Sequence, residues 1–197
     1  GFAMNIFRTI WTNPRSVLRD LLDSRSFLVP FLLLYFGSIG MSLVSLYNSE
    51  GIDIPSDLTT DIPMETFEMP LWWTLLGVIF LSPLLTFVGI IIYSFVTMLI
   101  GKWLFKGIGT FKDLLKVNST AYLSFIVAIP IFGAWLIVNA DSFLNSQHTG
   151  IVGFLLYIVI AIFTGIYFFI FNLVGISEAH QISKWKAFFT MIIPTIL

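Results

Sequence analysis

Apolar and polar positions alternate along this chain in blocks, long apolar runs separated by shorter polar ones. Ahead of the first run, Ile6, Phe7, Ile10 and Trp11, then Val17, Leu18, Leu21 and Leu22, recur at helical spacing, with Arg8, Arg15 and Arg19 off that stripe. Pro14 divides the stretch, and Asn13 before it suits an N-cap with proline at the first helical position, so the pattern predicts two short amphipathic helices across residues 4–24. Such a basic amphipathic pair is expected at the membrane interface, in the headgroup layer; packing of the stripe on the protein's own helices is the alternative the spacing leaves open.

The apolar runs themselves predict an all-α integral membrane protein, a helical bundle of five spans at about 26–47, 71–100, 119–138, 150–174 and 187–197. Residues 1–25 form a cytoplasmic amphipathic segment and residues 26–197 a polytopic membrane domain. The second run is longer than a bilayer needs, so a kink at Pro83, a tilt or a protrusion beyond the bilayer is expected. The fifth, at eleven residues, is too short to cross and is expected to be a truncated span or a half-span. Composition agrees: 57% hydrophobic residues against 11% charged, with a mean hydropathy of +0.95, is more apolar side chain than a soluble domain can cover. Cysteine is absent, so disulfides, thiolate nucleophiles and cysteine metal sites are excluded.

Charge turns this list of spans into a topology. Arg8, Arg15, Arg19 and Arg25 precede the first run, Lys102, Lys106, Lys112 and Lys116 lie between the second and third, and Lys184 and Lys186 between the fourth and fifth. Those are all ten basic residues, and alternating spans put every one on the same side. The positive-inside rule makes that side cytoplasmic, with the amino terminus inside. The polar stretch 48–69 carries Glu50, Asp53, Asp57, Asp61, Glu65 and Glu68 with no Lys or Arg, and is expected outside. Trp11, Trp103 and Trp185 fall near the inner boundary and Trp72, Trp73 and Trp135 near the outer one, as an aromatic belt requires.

Candidate chemistry is sparse. The six carboxylates of 48–69 supply oxygen ligands suited to divalent cations, but they lack the EF-hand glycine and terminal glutamate, and Pro55 and Pro63 disfavour a helix that would align them. A hydrated outer loop is the plainer expectation. Glu178 and His180 fall short of a zinc H-E-x-x-H motif, which needs a second histidine one turn away, and His148 has no evident partner. The spans hold no Asp, Glu, Lys, Arg or His, which argues against proton relays, ion coupling and intramembrane aspartyl proteolysis. No nucleophile elbow, P-loop or G-x-G-x-x-G occurs. A non-enzymatic protein with no cofactor or metal is therefore expected.

Two uses remain for the polar residues. Arg8, Arg15, Arg19, Lys102, Lys106, Lys112, Lys116, Lys184 and Lys186 form the expected cytoplasmic face toward membrane lipid headgroups or a protein partner, and nucleic acid is not an expected one. Thr86, Tyr93, Thr97 and Asn172 are the alternative, an uncharged groove for a transporter, channel or lipid scramblase with a neutral or amphipathic substrate. Small and hydroxylated residues of this kind, including Gly37, Ser38, Ser42, Gly89, Ala161 and Gly165, equally serve helix packing. Thr110 and Asp113 form a T-x-x-D capping box that starts a helix before the third span.

The Asn13–Pro14 amphipathic start, the five apolar runs, GTFKDLLKV leading to Ala121, Tyr122 and Pro130, and GISEAHQISKWKAF before the last run together resemble the Yip domain family of small polytopic membrane proteins. The resemblance implies five helical spans with a cytoplasmic amino terminus. Eukaryotic members are associated with Rab-type GTPases and vesicle traffic and carry DLYGP and GY motifs, which this chain lacks, as it lacks their long amino-terminal extension. The resemblance therefore implies a prokaryotic type of member, in a plasma membrane, with homo-oligomerisation open.

Overall fold

The computed structural model describes residues 2–48, 71–138 and 150–196. Among them every regular element is helical. Two short helices, α1 (Phe2–Thr9) and α2 (Pro14–Asp23), precede α3 (Leu28–Asn48), the long α4 (Leu71–Phe105), the pair α5 (Phe111–Ile126) and α6 (Ala128–Val138), the long α7 (Gly150–His180) and α8 (Lys184–Ile196). Three of these, α3, α4 and α7, are each long and apolar enough to cross a membrane. The α5 and α6 pair makes a fourth if its 49° bend lies within one span. At 13 residues α8 does not reach that length, so the described helices supply three or four candidate spans where the apolar runs predicted five. Residues 49–69 of the acidic stretch, the turn with His148 and the last residue lie outside the described residues.

The amino-terminal pair breaks where the pattern predicts. Asn13 accepts a hydrogen bond from the Ser16 amide at 3.4 Å, and Pro14 occupies the first position of α2, where a missing N–H costs nothing. Its apolar stripe turns inward: Ile6, Ile10, Val17, Leu18 and Leu21 are buried against α5 and α7, and Trp11 packs among Phe163, Tyr167 and Phe171 of α7 with ring centroids 4.8–5.5 Å away. Of the two placements the spacing leaves open, the stripe takes packing on the protein's own helices. Each such side chain, fully buried, contributes on the order of 2 kcal/mol.

The outer surface is apolar, and polar side chains share the interior with the apolar core. Leu84, Leu85, Ile92, Ile162 and Ile166 are exposed, whereas Ser38, Ser94, Asn118, Ser119, Thr120, Ser124 and Thr164 are buried. Small residues bring the backbones together. A Cβ on Gly37 or Gly40 of α3 would run into the carbonyl oxygens of Tyr122 and Phe125 on α5, so these glycines permit the close approach of α3 and α5. Neighbouring hydroxyls add polar ties, Ser42 to Ser82 and Asn118 Nδ2 to Ser94 Oγ at 3.0 Å.

At Pro83, where the sequence predicts a kink, the helix changes type. Proline at 83 offers no N–H to the carbonyl of Ile79, four residues earlier. The chain answers with a π-helical turn at Gly77–Leu81, and the Tyr35 hydroxyl of α3 donates to the Ile79 carbonyl at 3.1 Å. A carbonyl that would face lipid unpaired is thereby satisfied by a neighbouring helix.

Gly37→Ala or Gly40→Ala is expected to lower stability by about 1–3 kcal/mol through overpacking. Gly89→Ala, where a Cβ meets nothing within 4 Å, is expected to be neutral or stabilising. Tyr35→Phe is expected to cost about 1 kcal/mol by leaving the Ile79 carbonyl unpaired. Thermal unfolding of the detergent-solubilised protein, followed by size-exclusion, checks all of these, and a Gly37→Ala variant as stable as the parent contradicts the close approach.

Candidate functional site

The ends of α2, α4, α5, α7 and α8 converge at one end of the bundle, held by the last turn of α7. There His180 is buried. Its Nδ1 accepts the Gly109 amide at 3.2 Å, which leaves the proton on Nε2 to be donated to the Thr97 carbonyl, also at 3.2 Å. Its own carbonyl accepts the Ile108 amide at 3.1 Å. The segment after α4 is thus sewn to the end of α7. It reaches that position because Lys106 turns left-handed (φ 56°) and the Gly107 amide closes back on the Gly101 carbonyl at 2.9 Å. Gly101 and Gly107 have no room for a side chain, since a Cβ on either would overlap the imidazole.

Two residues from His180, Glu178 takes Arg15 and Arg19 of α2, the Arg19 Nη2 lying 2.8 Å from its carboxylate. The hydrogen bond and charge of Glu178 hold the Arg19 guanidinium above its ordinary range. The other end of α2 is tied by Lys116, whose Nζ donates to the carbonyls of Leu21 (3.2 Å), Leu22 (3.1 Å) and Ser24. These are carbonyls that a helix end leaves unpaired, and a cation there also meets the negative end of the helix dipole. The capping box forms as predicted: Thr110 Oγ1 accepts the Asp113 amide at 3.2 Å, and Asp113 accepts the Thr110 amide at 3.0 Å. Arg15, Arg19, Asp23, Asp113, Ser177, Glu178 and Gln181 line a polar cleft of about 560 Å³ between these elements.

Arg8, Arg15, Arg19, Arg25, Lys102, Lys106, Lys112, Lys184 and Lys186 are exposed. Lys116 is not: at 2% exposure it lies beneath α2, and it leaves the predicted face for an internal role. Its i, i+4 spacing from Lys112 placed the two on one helical face, and α2 crosses that face one turn in. Three residues of the predicted groove, Thr86, Tyr93 and Thr97, lie on α4 and the fourth, Asn172, on α7. Thr97 and Asn172 are buried and spend their side chains on their own helices, Thr97 Oγ1 on the Tyr93 carbonyl at 2.8 Å and Asn172 Nδ2 on the Phe168 carbonyl at 3.0 Å. Thr86 and Tyr93 are half-buried. Glu178 and His180 do not form an acid–base pair, because one faces arginines and the other backbone. Among the described residues no group of three His, Asp or Glu side chains is placed to hold a metal.

His180→Ala is expected to cost about 2–4 kcal/mol, from the cavity and the unpaired Gly109 amide together. Lys116→Ala is expected to loosen α2 specifically, at about 2 kcal/mol, by orphaning its last carbonyls. Limited proteolysis separates the two, with faster cleavage near residues 23–26 and little change in the remaining bundle for Lys116→Ala. Protection of that segment in the variant equal to the parent's contradicts the capping role.

No match is found among curated proteins or among solved structures. A family model does match, the Yip1 domain, over residues 8–197. That range runs from α1 through α8 and includes the Lys116, Glu178 and His180 ties. The chain therefore belongs to the Yip1 domain family and is a multi-pass integral membrane protein.

Proposed function

We propose that this Yip1 domain protein is a non-enzymatic membrane organiser or recruiter that works through its basic end, with that end in the cytoplasm, the amino terminus inside and residues 48–69 outside. The observation that carries this is the disposition of the cations: nine of the ten are exposed, Arg15 and Arg19 reach Glu178 near the end of α7, Lys102, Lys106 and Lys112 flank the segment sewn to His180, and the tenth, Lys116, is built into the support beneath α2. Cations so placed gain about 1 kcal/mol each near an anionic leaflet. The same asymmetry sets orientation through the positive-inside rule. The partner class is the membrane surface, or a protein that carries an acidic patch to it. A transport path along Thr86, Tyr93, Thr97 and Asn172 has less support, since two of those side chains are already bonded to their own helices.

Because the chain has no cysteine, single cysteines report topology cleanly. Thr12→Cys is expected to react with an impermeant maleimide only after cells are permeabilised, and Thr59→Cys in intact cells. The reverse pattern refutes the orientation. Neutralising Arg8, Arg25, Lys102, Lys106, Lys112, Lys184 and Lys186 together is expected to abolish salt-sensitive capture of phosphatidylglycerol vesicles by the reconstituted protein. Undiminished capture, with topology retained, refutes the basic-face mechanism.

A further inference from the structure

The charged end is not uniform. Arg15 and Arg19 are engaged by Glu178 and Lys116 by α2. Lys102, Lys106 and Lys112 have no carboxylate within 4.0 Å among the described residues. The nearest acidic side chain on the same elements, Asp113, is committed to Thr110.

Membrane-ward of these lysines, Ile91, Ile92, Phe95 and Met98 of α4 and Phe111 of α5 line an apolar cleft of about 420 Å³. It opens sideways, since Ile92 and Phe95 are 59% and 50% exposed. Ile91, Phe95, Met98 and Lys102 follow one another at i, i+4, i+7 and i+11, a single stripe along α4. At 1.5 Å per residue, Lys102 stands about 10 Å beyond Phe95 on that stripe. Across the cleft, Lys112 is the residue after Phe111. An apolar wall thus ends in ammonium groups on both sides at the level where Trp103, 79% exposed, marks a headgroup boundary.

We propose that this seam between α4 and the start of α5 is a discrete site for one anionic phospholipid of the cytoplasmic leaflet, an assignment that rests on the cytoplasmic basic face proposed above. One acyl chain lies on Ile91, Ile92, Phe95, Met98 and Phe111, and the phosphate meets Lys102 and Lys112, with Lys106 at the rim. Charge complementarity selects the headgroup, and the apolar cleft beneath selects a ligand with a hydrocarbon tail continuous with its phosphate. A soluble anion or an acidic peptide would leave that cleft unfilled.

The full chain in neutral detergent is titrated with dioleoyl phosphatidylglycerol and dioleoyl phosphatidylcholine, and bound lipid is counted by native mass spectrometry. One tightly held phosphatidylglycerol and no equivalent phosphatidylcholine is the expected result. Lys102→Gln with Lys112→Gln is expected to weaken phosphatidylglycerol roughly twenty-five-fold, about fivefold per lysine. Arg8→Gln with Arg25→Gln, the same loss of charge elsewhere, is expected to weaken it less than about threefold on the same scale. Phe95→Ala, at a half-exposed position that the fold tolerates, is expected to weaken it severalfold, and glycerol phosphate is expected not to compete. Equal losses in the two double variants overturn the discrete site while leaving a diffuse basic face standing. Retained selectivity in both overturns the site and the face together. Competition by glycerol phosphate, or by an acidic peptide that binds where phosphatidylglycerol does not, overturns the acyl contact.

Discussion

The last turn of α7 is where this bundle is closed, and the closing interaction is the imidazole of His180. Held neutral between an accepted Gly109 amide and a Thr97 carbonyl, it joins three backbone segments that have no other sequence-local reason to meet. A buried polar ring is tolerated because both nitrogens are partnered, and the same low dielectric that would punish a missing bond strengthens the two that exist. Glycine at 101 and 107 is the steric condition for it. On the same turn Glu178 draws in α2, so the position of the amino-terminal helices depends on the same few residues.

Around that closure the protein solves the bilayer's demand that no backbone group be left unpaired. α4 shows the solution most directly. Pro83 withholds a donor, the π-turn relocates the defect, and Tyr35 reaches across from α3 to fill it. Lys116 does the corresponding work at the end of α2, with the added advantage of a positive charge at a negative helix end. In both cases a residue that looks exceptional in one helix is explained by a vacancy in another. Function, as proposed, uses what remains outside: lysines with no internal partner above an apolar seam.

Much of the architecture was legible in the chain, and the reason is physical. Apolar run length reports the bilayer thickness, so α3, α4 and α7 follow from counting, and the Asn13–Pro14 and Thr110–Asp113 caps depend on contacts within four residues. What counting could not supply was the fate of residues whose partners lie far along the chain. The spacing of Lys112 and Lys116 put both on one face, and only the crossing of α2 separates an exposed cation from a buried one. Thr97 and Asn172 looked free to line a groove because side-chain bonds to their own helices leave no mark on hydrophobic periodicity. His180 and its glycines carried a faint signal, three glycines within GKWLFKGIG, but no local rule links them to a histidine 71 residues beyond Gly109.

By itself, then, the sequence determined that the protein lives in a membrane and that it is helical, because hydropathy and cap chemistry act through solvent and near neighbours. The tertiary structure alone decided that the amino-terminal stripe packs inward, that Lys116 supports the basic end without joining its surface, and that His180 closes the bundle. Those outcomes depend on which helices cross. Crossing is set by the joint fit of Gly37, Gly40, Gly101 and Gly107 against partners tens of residues away, which no single stretch of chain contains.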